Sequence, residues 1–324
     1  MAQRDLIVGL YDAIEFWRQV RRTGTEQDWS HVYGARDLRL SEKVELAKTA
    51  CGTCGPLQVV AGSSEERPQS PEVEARVWTG VMGRGTSVGI GKGVRVSGIK
   101  QALVQLGLVA DTVDILTVAY EFCGTYALAE SEPRGFVTNV EPLVSAKELR
   151  DYAEFERGRG VRGAAAAAKA FGYLADGSNS PYETKVAIAL SLPRQSGGYN
   201  LGGFKMNAQY ELTGPAATIF GYRGIRPDFS WPDSGHALEV LGRHDHGGDA
   251  GFRSDPKRAD ALLAMGITVH WATTEQLRSL EKTEAIFEDL GVKLGKRRAP
   301  LSTKAKLRRA ELHDRLFGHG ALAV

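Results

Sequence analysis

Three carboxylates in the second half of the chain, Glu183, Asp228 and Glu239, stand in settings that could do chemistry. Asp228 follows Pro227, and the turn Trp231-Pro-Asp-Ser-Gly folds the chain back into Ala237-Leu-Glu-Val-Leu, which carries Glu239. A carboxylate inside such an apolar strand bears a desolvation cost unless it is paired or bound to a cation. Two carboxylates on adjacent strands, with a third from a neighbouring helix, make a hard-oxygen site suited to Mg²⁺ or Mn²⁺. Such a metal can polarise a phosphodiester and lower the pKa of a bound water. Directly after the strand, Gly242-Arg-His-Asp-His brings a guanidinium and two imidazoles to its end. His244 or His246 could act as general base or acid near neutral pH, and Arg243 could hold a phosphate. A plainer reading stands beside each of these. Pro-Asp pairs are common in turns, a strand Glu can lie on an edge, and loop histidines are often only solvated.

The elements that must position these groups are legible from capping and periodicity. Ser180-Pro-Tyr-Glu predicts a helix over 181–192, with Ser180 as N-cap, Pro181 at the first helical position and Glu183 at the third. Strand-like segments follow near 204–212, 222–229 and 236–241. Helical spacing then runs over 256–265, a buried strand over 267–272, and a last helix from Thr274 to Leu290. Side chains alternate along a strand, so Glu239 and Leu241 share one face and Leu238 and Val240 the other.

Upstream, residues 1–100 read as short strands and turns after one early helix. Asp12 is placed to cap that helix, with Glu15 three residues on. Strands are expected over 56–61, 73–78 and 88–96, and Gly89-Ile-Gly-Lys-Gly reads as a hairpin turn, since it lacks the Walker spacing. From about Ser97 the pattern turns helical, through Ile99–Leu108, Ile115–Phe122, a Ser145-capped helix and the alanine run 164–168. Ala175-Asp-Gly-Ser-Asn-Ser-Pro is the clearest break. It divides a β-rich then helical region, 1–175, from an α/β domain, 180–295.

With 324 residues, 42% of them hydrophobic, the chain can bury a core in each of two domains. Its net charge of +2 hides a local excess: from Lys293 onward nine bases face only Glu311 and Asp314. Residues 296–324 therefore read as a basic tail that could engage a polyanion, or as a solvated end. Three cysteines do not make a disulfide framework. Cys51-Gly-Thr-Cys54 lacks a second ligand pair for zinc and reads as a helix–strand turn. No apolar run approaches the roughly 20 residues that cross a bilayer. The first residues lack the regions of a signal peptide, so a cytoplasmic setting without membrane contact is expected.

Three stretches together carry a resemblance: Arg226-Pro-Asp-Phe-Ser-Trp-Pro, His236-Ala-Leu-Glu-Val-Leu-Gly-Arg-His-Asp-His, and Asp255-Pro-Lys-Arg-Ala-Asp-Ala-Leu-Leu-Ala-Met-Gly-Ile-Thr-Val. They resemble the PD-(D/E)xK endonuclease superfamily, nearest to the very-short-patch-repair endonucleases and their uncharacterised relatives, over about 180–290. The resemblance implies a restriction-endonuclease-like fold, a mixed sheet flanked by helices, and a Mg²⁺- or Mn²⁺-dependent nuclease acting on DNA. It makes Glu183 the helix acid, Asp228 and Glu239 the metal ligands, and His244 or His246 the loop histidine, with Asp255 and Arg258 in structural positions. One position departs from the pattern. Leu241 stands where the superfamily carries Lys and these relatives often Asp, and leucine can neither orient water nor stabilise charge on phosphate. A non-catalytic DNA-binding or antitoxin-like regulator that keeps a nuclease fold is the alternative. The short apolar patterns of 56–60, 73–78 and 93–98 resemble abortive-infection-type antitoxin regulators, which points the same way.

Overall fold

The computed structural model describes residues 5–23, 38–83, 85–212, 214, 217–218, 221, 224–242, 256–297 and 300–318. The protein is mixed α/β, with mixed sheets flanked by helices. It divides into two compact units: Met1–Cys123 with Ala127–Gly172, and Gly124–Tyr126 with Tyr173–Val324. Among the described residues no helix is long and apolar enough to cross a membrane.

Unit 1 begins with β1 (Leu6–Val8), α1 (Leu10–Thr23) and α2 (Leu40–Cys51), followed by β2 (Leu57–Ala61), β3 (Val73–Val77), β4 (Ser87–Gly91) and β5 (Val94–Ser97). These strands form one five-stranded sheet in the order β3-β2-β1-β5-β4, with β1 antiparallel to β2 and parallel to β5. The glycine-rich stretch turns between β4 and β5, where Gly93 takes φ 71°, as the hairpin reading expects. Helices α3 (Ile99–Gln105), α4 (Thr112–Cys123), α5 (Ala146–Gly158) and α6 (Ala164–Phe171) fall where the periodicity puts them. A two-stranded ladder of β6 (Tyr126–Leu128) and β7 (Phe136–Thr138) follows α4 in sequence.

Two expectations fail in unit 1. Helix α2 occupies a stretch read as strands and turns; Val44, Leu46, Ala47 and Ala50 give it a buried face. Asp12 lies inside α1 rather than at its cap. It is buried and accepts hydrogen bonds from Thr53 Oγ1 (2.7 Å) and the Gln58 amide (2.6 Å), which tie α1 to the start of β2. The Cys51–Cys54 segment is the expected turn, with Gly52 in the left-handed conformation at the end of α2.

Unit 2 contains α7 (Pro181–Ser191), β8 (Lys205–Met206), β9 (Tyr210–Glu211), β10 (Gly224–Ile225), β11 (Phe229–Trp231), β12 (His236–Leu241), α8 (Pro256–Ala264), β13 (Thr268–Thr273), α9 (Thr274–Leu277), α10 (Leu280–Lys293) and α11 (Thr303–Phe317). Its main sheet runs β13-β12-β11-β8, antiparallel except for the parallel β12–β13 pair. The expected long strands over 204–212 and 222–229 are only short pairs. Asn207 at φ 49° interrupts the first of them. The single last helix is also two, because Ser279 caps α10 through the Lys282 amide and Thr283 Oγ1 donates to the Leu277 carbonyl. On one face of the main sheet, Ala237 packs with Ala261, Leu262 and Ile267. Glu239, two residues along β12, points to that same face.

The basic end is not a free tail over α11. Arg309 is 2% exposed, donates to Glu288 Oε1 (2.7 Å) and the Gly198 carbonyl (2.9 Å), and lies 4.1 Å over the Tyr199 ring. Leu312 and Leu316 are buried beside it in the sequence, so α11 is an amphipathic part of unit 2.

Candidate functional site

The start of α7 sets the first acid. Ser180 is extended, and its Oγ accepts from the Glu183 amide (3.1 Å), satisfying a donor the helix leaves open. The Glu183 carboxylate folds back on the same turn. Its Oε1 accepts from Ser180 Oγ (3.0 Å), and its Oε2 from the Asn179 amide (2.9 Å) and Asn207 Nδ2 (2.6 Å). Both oxygens are thus engaged in holding the helix start. Asn207 also donates from Nδ2 to the Gly177 carbonyl and from its amide to the Asp228 carbonyl (3.1 Å), linking the α7 entry to the approach of β11.

The second acid, Asp228, stands immediately before β11, and the third, Glu239, lies within β12, the antiparallel partner of β11. Asp228 Oδ2 accepts from the Val240 amide (2.8 Å), which fixes the aspartate against β12 next to the residue bearing Glu239. Glu239 is 6% exposed, and Arg258 Nη2 from α8 stands 3.0 Å from its Oε1. That ion pair lacks the alignment of a hydrogen bond, so Oε1 is a buried oxygen without an aligned donor among the described residues. The same Nη2 donates to the Arg226 carbonyl.

Burial and mutual repulsion set the protonation of this group. Glu183 is raised from an ordinary 4.5 to about 7, first by burial and then by Asp228, against the hydrogen bonds from Asn179, Asn207 and Ser180. Glu239 is raised to about 7 by burial and then by Asp228, with Arg258 opposing. Asp228 is itself raised by burial, and the Val240 amide, Arg258 and Arg226 draw it back. Asp228 is therefore the charge felt by both glutamates. The acids read from the sequence thus interact in two pairs, Glu183 with Asp228 and Glu239 with Asp228.

Not every expected residue is described. Arg243, His244, His246 and Asp255 fall outside the described residues. Leu241 ends β12 half-buried, paired with Thr273. Two features escaped the sequence reading. Asn207 carries no motif, and Arg258, read as structural, turns out to be the counter-ion of Glu239. A histidine contact also appears, His270 Nε2 to His236 Nδ1 at 3.1 Å across β12 and β13.

The resemblance implies a divalent cation, and the donors fit one in part. Carboxylate oxygens are the hard ligands Mg²⁺ and Mn²⁺ prefer, and Glu239 Oε1 lacks an aligned donor. Among the described residues, no three His, Cys, Asp or Glu side chains are placed to hold one ion. A two-carboxylate site completed by water and phosphate oxygens is the arrangement these residues suit. No family model matches the chain, and no match was found among curated proteins or solved structures.

Proposed function

We propose that unit 2 is a restriction-endonuclease-like domain that acts on DNA phosphodiesters in the cytoplasm with Mg²⁺ or Mn²⁺ held by Asp228 and Glu239. The observation that carries this reading is the pair of acids at the entry to β11 and within β12, Asp228 half-buried and Glu239 buried, both pushed up by burial, with Arg258 3.0 Å from Glu239. Buried like charges are costly, and their retention favours a cation-binding role over a packing one. Bound there, the metal supplies Lewis-acid polarisation of a phosphoryl oxygen and acidifies a bound water.

The chain's own groups divide the remaining work. The Val240 amide orients Asp228, while Glu183 and Asn207 hold the α7 entry against the approach to β11. Arg243 and the exposed bases are assigned to DNA phosphates, and His244 or His246 to proton transfer, on their sequence positions.

A second reading has its own observation. Leu241 puts no polar group on the face of Glu239, and Glu183 is spent on its own helix cap, which favours a DNA-binding regulator that retains the fold. Incubating full-length protein with supercoiled, mismatched and single-stranded DNA in Mg²⁺ or Mn²⁺ separates the two. Cleavage that disappears in Asp228→Ala/Glu239→Ala supports the nuclease. DNA binding without cleavage, unchanged by Asp228→Ala, supports the regulator, and the absence of both activities overturns either reading.

A further inference from the structure

Arg258 has an unusual set of partners. Its Nη2 reaches Glu239 Oε1 and the Arg226 carbonyl, while its buried Nε has no hydrogen-bond partner among the described residues. The contact with Glu239 is a single ion pair without hydrogen-bond alignment, not the two parallel bonds an arginine makes when it clamps a carboxylate. The other anchor is one main-chain carbonyl, and the side chain is 37% exposed. Such a guanidinium neutralises charge without being locked in place. It also competes directly with any metal, because coordination needs the carboxylate oxygens at roughly 2.0–2.1 Å for Mg²⁺. Two cations against one carboxylate pair repel each other.

We propose that Arg258 is a displaceable counter-cation that holds Glu239 in the metal-free protein and must leave before a divalent ion takes Asp228 and Glu239 together. The inference rests on the metal-binding reading above and adds its regulation: the arginine sets the ion concentration at which the site loads. Arginine stays charged at any working pH, so the threshold comes from geometry and charge and not from its titration.

Calorimetric titration of Mn²⁺ at pH 8 into the full-length chain tests this with wild type, Arg258→Gln, Arg258→Lys and Asp228→Ala/Glu239→Ala. Glutamine keeps a donor for the Arg226 carbonyl but removes the charge. Lysine keeps the charge and provides a second, independent expectation. Arg258→Gln is expected to bind Mn²⁺ at least tenfold more tightly than wild type, and Arg258→Lys within about threefold of it. Equal or weaker binding by Arg258→Gln, or a tenfold gain in Arg258→Lys, overturns the counter-cation role. If the double alanine variant meanwhile loses binding, the metal site itself stands. Absence of binding in every protein, or binding that survives in the double variant, overturns both the role and the metal reading.

Discussion

Replacing Glu239 by glutamine should stabilise unit 2 at alkaline pH, because the native fold keeps this carboxylate where its ionised form is disfavoured. The sign follows from linkage. Glu239 is raised from 4.5 to about 7 in the folded chain, so between those values the native state binds more protons than the unfolded state. Stability therefore falls as pH rises from about 4.5 to about 7 and then levels off. At ~1.4 kcal/mol per tenfold change, this interval corresponds to about 3 kcal/mol, most of it incurred between pH 5 and pH 8. Glutamine has nearly the same shape and never ionises. Its cost is the Arg258 ion pair, and a guanidinium 37% exposed can turn to water at a loss of about 0–1 kcal/mol. Glu239→Gln should thus be about 2–3 kcal/mol more favourable, relative to wild type, at pH 8 than at pH 5. Urea-dependent hydrogen exchange of peptides covering β11 and β12 reads unit 2 alone and measures that difference. An equal effect of the mutation at both pH values, or a larger stabilisation at pH 5, would refute the argument that Glu239 is a strained acid.

Two further outcomes test the packing. Arg309→Ala removes a buried guanidinium while Glu288 keeps Arg194 (2.7 and 2.9 Å), so the loss should fall near the low end for a broken buried pair, about 3 kcal/mol. Thermal unfolding of unit 2 should shift down by roughly 6–12 °C, and an unchanged midpoint would return α11 to the status of a free tail. Gly107→Ala would drive a Cβ into the Gly163 carbonyl oxygen, a main-chain atom that cannot turn aside. It should destabilise unit 1 by about 1–3 kcal/mol in chemical denaturation and leave unit 2 unaffected.

Much of the candidate site was readable because its determinants are local. Ser180-Pro-Tyr-Glu announces its helix because N-cap and third position lie within one turn, and the structure places Ser180, Pro181 and Glu183 in those roles. The apolar run around Glu239 announces β12, and strand alternation puts Glu239 and Leu241 on one face without further information. Asp228 is likewise marked by its Pro-Asp turn. The same local logic failed where burial outweighed it. Helix α2 forms on an amphipathic stretch whose apolar positions have meaning only against a core, and the basic charge of α11 concealed an arginine turned inward.

What the amino-acid order determined by itself was the set of acids, their elements and their facing. Which of their oxygens are free, and which cation compensates them, was decided by tertiary structure alone. Glu183 meets Asn207 across 24 positions of sequence, and Asp228 meets the Val240 amide across 12. Glu239 meets Arg258 only because α8 covers the face of the sheet on which Ala237 packs. No periodicity encodes such pairings. They arise when burial removes water from charged groups and leaves each to the donors that chain folding has brought near.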